Sequence, residues 1–110
     1  MLHANLAALE EYNPDRFVIK PVYDSPYSFS KVIHIAPGQC VPVHPHAGKE
    51  VILFPQKGYA TLCWDDGKEQ ALDAGNVYYQ GPEPTFGVTN LGPEPFQMLV
   101  LVVHIAGGAA

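Results

Sequence analysis

The sequence predicts an all-β domain, a sandwich or barrel of short strands, and three observations carry that prediction. Gly and Pro supply 10 and 11 of the 110 residues, about a fifth of the chain, and neither sits comfortably inside a helix. From Phe17 onward the apolar and β-branched residues gather into runs of strand length, each closed by turn-forming residues. With 47% hydrophobic and 15% charged residues, the chain can bury one core and is too short for two ordinary domains.

Leu2, Leu6 and Leu9 recur at near-helical spacing before Asn13-Pro14, which predicts a short amphipathic helix over residues 2–11. The strand-like runs are Phe17–Lys20, Ser28–Ala36, Glu50–Phe54, Tyr59–Trp64, Glu69–Leu72, Asn76–Tyr79, Thr85–Asn90 and Phe96–Ile105. Between them stand Pro26, Pro37-Gly38, Pro55–Gly58, Asp65-Asp66-Gly67, Asp73-Ala74-Gly75, Gly81-Pro82 and Gly92-Pro93. Asp66-Gly67, lying between two runs, reads as a tight hairpin, because turns that match strand twist need positive φ. The Gly107–Ala110 tail reads as frayed. One domain over residues 1–110 follows, with its strand-rich body at about 17–105.

Six Lys and Arg against 11 Asp and Glu give a formal charge of −5, so there is no electrostatic footprint for nucleic acid or an anionic membrane surface. Cys40 and Cys63 are too few for a disulfide-stapled domain and read as two buried free thiols. The first eleven residues carry Glu10 and Glu11 and lack the basic start and apolar core of a secretory signal, which predicts a cytoplasmic protein. The longest apolar run, Met98–Ala106 interrupted by His104, is about half the length a membrane helix needs.

His44-Pro45-His46 is the most informative stretch. On an extended backbone, side chains two apart share a face, so both imidazoles can address one point, while Pro45 faces away and excludes a helix. Glu50 follows across the turn-like Ala47-Gly48-Lys49 and could bring its carboxylate beside the rings on the next strand. Two neutral imidazoles and a carboxylate form a facial set that holds a divalent ion and leaves positions open for substrate, water or dioxygen. A His-x-His pair alone is a weak signal, and solvent-facing strand histidines with a surface carboxylate remain the plain alternative.

These residues resemble the cupin family. Its first motif runs Gly, five residues, His-x-His, three or four residues, Glu, six residues, Gly. Here Gly38, His44, His46 and Glu50 follow that order, with seven residues before Gly58, one more than usual. In the second motif Gly75 and Asn90 stand at the expected separation, but Gly81 replaces a Pro, Glu83 a Gly, and Phe86 the metal-binding His. The resemblance covers about residues 30–105. It implies a double-stranded β-helix, the cupin jelly-roll barrel, with a short N-terminal helix. It also implies that His44, His46 and Glu50 hold a divalent metal ion (Fe, Mn, Ni or Zn) inside one end.

Phe86 cannot coordinate a metal, so the implied site has three protein ligands and an apolar wall. Two classes of function are compatible with that. One is a metal-dependent enzyme of dioxygenase, isomerase or lyase type acting on a small organic molecule. The other is a non-catalytic small-ligand-binding or sensing barrel whose metal is vestigial or absent. Around the cavity, Phe86, Cys40, Tyr79 and His104 are the candidate wall or substrate-contact residues. Cys40 shares strand parity with His44 unless Pro42 disturbs it. His34 and His104, on apolar strands, either replace the missing ligand or serve as hydrogen-bonded core residues. Cupins commonly pair through sheet edges, so the resemblance also implies a homodimer. No nucleophile triad and no Gly-rich phosphate loop occurs in the sequence.

Overall fold

Alternating apolar residues turn most of the chain into strand. In the computed structural model, which describes residues 1–105, the elements are α1 (Leu6–Leu9), β1 (Val18–Asp24), β2 (Ser28–Ile35), β3 (Cys40–Pro45), β4 (Lys49–Lys57), β5 (Tyr59–Trp64), β6 (Glu69–Asp73), β7 (Tyr78–Gln80), β8 (Thr85–Thr89) and β9 (Phe96–His104). The tail expected to fray lies outside the described residues. All pairings are antiparallel, in two sheets ordered β1-β2-β9-β4-β7 and β3-β8-β5-β6. This is the jelly-roll expected from the motifs. Among the described residues no helix is long and apolar enough to cross a membrane.

The inner faces follow the period-two rule. Val51, Leu53 and Pro55 of β4 point between the sheets, as do Met98, Val100 and Val102 of β9. They meet Ala60, Leu62, Leu72, Phe86 and Val88 from the second sheet. The additional residue before Gly58 is absorbed by a β-bulge. In the β4–β9 ladder Pro55 pairs with Met98 and Lys57 with Gln97, leaving Gln56 without a partner. Gly58 then turns at φ 76, pressed so close to Pro95 that a Cβ would lie 2.3 Å from its carbonyl oxygen. The Asp66-Gly67 hairpin forms as expected, with Gly67 at φ 88.

The expected helix over 2–11 contracts to four residues. Asn5 caps it by accepting a hydrogen bond from the Ala8 N–H at 3.2 Å, and Glu10 returns to extended geometry. None of its residues is buried, and a helix this short has too few hydrogen bonds to persist without burial. The N-terminal segment instead lies over the outer face of β2. There Tyr12 meets His34 edge-on with ring centroids 5.5 Å apart, and Val32 and His34 are fully buried. Lys57–Glu10 and Lys20–Glu11 ion pairs tie the segment down. His34 is therefore a core residue behind the sheet. The thiols are free, as expected, but neither is buried: Cys40 is exposed and Cys63 half-buried. Both belong to strands flanking β8, and Cys40 Sγ accepts a hydrogen bond from Thr89.

Asn90, the residue that closes the second motif, joins three parts of the fold. Its buried amide donates to the carbonyls of Ile35 and Glu94, both at 2.9 Å, and accepts the Gly92 N–H at 3.0 Å. Asn90→Ala strands those backbone groups in the interior. It is expected to cost about 2–3 kcal/mol of stability, measured by urea unfolding. A second expectation concerns pH. Burial pushes the His34 pKa down, against the Val18 carbonyl and Glu10, and its Nε2 has no partner. A histidine depressed in the folded state takes up its proton more readily when unfolded, so stability falls as pH drops below about 6.5. Melting temperature should decline between pH 7.5 and 5, and His34→Leu should flatten that slope.

Candidate functional site

Between the two sheets, at the end where β1 and β3 form neighbouring edges, lies a cavity of about 410 Å³. Its body is aliphatic and aromatic: Ile33 from β2, Val51 and Leu53 from β4, Phe86 and Val88 from β8, and Met98, Val100 and Val102 from β9. Lining residues that reach solvent, Ile19, Pro42 and His44, mark the mouth on the two edge strands. The polar side chains that line it are Lys31, His44 and His46.

The two imidazoles reach the cavity because β3 is bulged. In the β3–β8 ladder the register slips between Val41 and His44. Val41 and Pro42 both line the cavity, and parity then restarts so that His44 and His46 point inward. The bulge folds against Gly87, where a Cβ would stand 2.5 Å from the Val41 oxygen and 2.6 Å from the Val43 nitrogen. Only a residue without a side chain lets the two strands approach that closely.

Both rings are held in one tautomer. His44 Nδ1 lies 2.8 Å from the Pro42 carbonyl and His46 Nδ1 lies 2.9 Å from the Pro84 carbonyl. A carbonyl only accepts, so each Nδ1 carries a proton and each neutral ring keeps its lone pair on Nε2. The His46 backbone N–H also donates to Pro84 at 2.9 Å. The ring centroids stand 4.3 Å apart, and Phe86 stacks on His46 at 4.4 Å and 12°. Burial pushes the His46 pKa down more than the Pro84 hydrogen bond raises it, and the charges of Lys31 and Lys49 add to the depression. Glu83, where the family pattern has Gly, adopts the left-handed conformation a Gly would take, φ 53. It is held there by its N–H on the Lys49 carbonyl, 2.8 Å, and by its carboxylate accepting the Gly48 N–H, 2.9 Å.

Glu50 does not join the histidines. β4 begins at Lys49, and Val51 and Leu53 occupy its inward positions, so the preceding residue faces out. There the Glu50 carboxylate accepts a hydrogen bond from the exposed Tyr79 hydroxyl, which raises the Tyr79 pKa. Tyr79 is thus off the cavity as well. Cys40 is exposed on the outer side of the bulge, because the slip at Val41–His44 breaks its parity with His44. His104, half-buried at the end of β9, lies beside Phe29 with ring centroids 5.8 Å apart and does not line the cavity. Of the expected residues, the structure brings together His44, His46 and Phe86. Among the described residues no three His, Cys, Asp or Glu side chains converge where one ion could sit. The donor set does not fit a three-ligand metal centre.

Lys31 escaped the reading of the sequence. Its signal was there: it shares parity with Phe29, Ile33 and Ile35 on the otherwise apolar inward face of β2. Burial pushes the Lys31 pKa down.

Compared with known proteins, residues 31–103 match the cupin domain family, and no curated protein matches the chain. Among solved structures, TT1209 from Thermus thermophilus is 24% identical, with 96% of this chain and 99% of that one covered and a TM-score of 0.85. An uncharacterized double-stranded β-helix protein from Klebsiella pneumoniae is 24% identical, covering 96% and 92%, TM-score 0.86. An RmlC-like cupin from Desulfovibrio desulfuricans is 22% identical, covering 94% and 96%, TM-score 0.84.

The contact at Gly87 is directly testable. Gly87→Ala drives a methyl into backbone atoms of β3 and is expected to destabilise the protein by at least about 2 kcal/mol in urea unfolding. A wild-type midpoint in that variant would mean that the bulge does not depend on the glycine.

Proposed function

The chain belongs to the cupin family, and from that premise we propose that it is a small-ligand-binding barrel whose cavity takes an organic molecule directly. What supports this reading is the chemistry of the cavity's donor set. Two imidazoles face a predominantly apolar space, while the carboxylate that would complete a metal-binding set is turned outward and bonded to Tyr79. The volume, about 410 Å³, lies within the usual range for small-molecule sites, and an apolar wall with a few convergent polar groups is their usual construction.

In this reading Phe86 and the aliphatic residues of β4 and β9 exclude water from the ligand's body. The Nε2 atoms of His44 and His46, fixed as acceptors by the Pro42 and Pro84 carbonyls, receive a hydroxyl or amine of the ligand. Gly87 and the bulge set where those acceptors stand.

Benzyl alcohol serves as a neutral probe in ligand-observed NMR. Val100→Phe, which fills the cavity, is expected to weaken its binding at least about tenfold while the variant still melts cooperatively. Binding unaffected by Val100→Phe would place the ligand elsewhere. Protein purified without chelators is expected to carry no stoichiometric Fe, Mn, Ni or Zn. Stoichiometric metal that disappears in His44→Ala/His46→Ala would overturn the reading in favour of a metal-dependent cupin.

A further inference from the structure

Lys31 stands in the cavity wall without a counter-ion. Of the six Lys and Arg, Lys20, Lys57 and Lys68 each approach a carboxylate, at 2.7, 2.8 and 4.0 Å, and of Arg16, Lys31 and Lys49, which form no ion pair among the described residues, Lys31 is the one that lines the cavity. Among the described residues Lys31 has neither an ion-pair nor a hydrogen-bond partner. It does lie over the Phe29 ring, 5.8 Å from Nζ to the centroid. At that distance and partly in solvent, such a contact returns only a small part of what a partly buried ammonium loses in hydration.

The setting makes the absence informative. The chain has a formal charge of −5, yet among the described residues no Asp or Glu lines the cavity, and the three polar side chains that do are all basic. In an acidic protein a random concave surface would carry carboxylates. Here they are kept outside: Glu50 is turned away to Tyr79, and Glu83 is held by the Gly48 N–H. Lys31 also sits at an inward position of β2, between the aromatic Phe29 and the buried Ile33, where an apolar residue would pack at no electrostatic cost.

We propose that the cavity's ligand is an organic monocarboxylate with an apolar body, and that Lys31 supplies the missing half of its ion pair. This rests on the small-ligand reading above and names the class of ligand. The apolar walls take the body, and the carboxylate lies toward Lys31. Inside a partly desolvated cavity that pair is less screened than one at the surface. The burial that holds the Lys31 pKa down is relieved once an anion lies beside it. An uncharged ligand of the same shape would leave the ammonium as it is, unpaired.

The test compares benzoate with its neutral isostere benzamide, titrated at pH 7 into the full chain and read by ligand-observed NMR or calorimetry. Benzoate is expected to bind the wild-type protein about tenfold more tightly than benzamide, with a preference that weakens at high salt. Lys31→Met, which keeps the stem and removes the charge, should bring the two within about twofold of each other. Lys31→Arg should restore the preference, and cooperative melting of each variant shows that it is folded. Equal affinity for the two compounds in wild type, or a preference that survives Lys31→Met, overturns the anion assignment and leaves the cavity reading standing. If neither compound binds, the anion assignment is overturned, and the cavity reading falls with it only if benzyl alcohol does not bind either.

Discussion

The geometry of the site depends on a single close approach, that of the β3 backbone to Gly87. A strand presents alternate residues to the core, and without a slip Cys40 would share the face of His44 and His46. The bulge between Val41 and His44 inserts the slip. It removes the thiol from the cavity, brings both Val41 and Pro42 to its wall, and sets both imidazoles inward. The space for that bulge exists because residue 87 has no Cβ. Downstream of it, the Pro42 and Pro84 carbonyls take the Nδ1 protons, and Phe86 closes over His46. The loop through Glu83 and Pro84 thus retains a backbone role although its side chains depart from the family motif.

Electrostatics gives the cavity its second character. The protein is acidic, but the carboxylates near the open end are engaged on the outside, by Tyr79 and by the Gly48 amide. Among the described residues, the polar side chains that line the cavity are all basic. An uncompensated ammonium costs stability, which a counter-ion from outside the chain would offset. The N-terminal segment plays a complementary part behind the sheet. It covers Val32 and His34, so that β2 is buried on its outer face too, and the unpartnered His34 Nε2 lies in that buried layer.

Much of the fold was legible in the sequence because turns and alternation are local signals. Asp66-Gly67 closes its hairpin, Asn90 closes the second motif, and the strand runs reappear with ends shifted by a few residues. The residue in excess before Gly58 was visible as a count and became physical as the Gln56 bulge. Two local expectations gave way to context. The helix shrank to one turn, none of whose residues is fully buried, and the thiols stayed near solvent because both lie outside the core. The site was legible only in part, since His44 and His46 share the cavity as their spacing suggested and Phe86 joins them as the resemblance implied, whereas Glu50, Tyr79, Cys40 and His104 do not.

What the sequence determined by itself is what depends on composition and short spacing, an all-β sandwich or barrel and a His-x-His pair on one face, and what its motifs imply by resemblance, a jelly-roll with an aromatic ring where a further ligand would stand. What only the tertiary structure decided is which face each strand turns inward. With a side-chain period of two, one residue of slip reverses a strand, and spacing in the chain does not reveal where a bulge falls or where pairing begins. The slip at Gly87 brought the histidines in and sent Cys40 out. The start of β4 at Lys49 gave Val51 the inward place beside them and left Glu50 to Tyr79. The same parity, counted along β2, turned Lys31 into the cavity that those strands enclose.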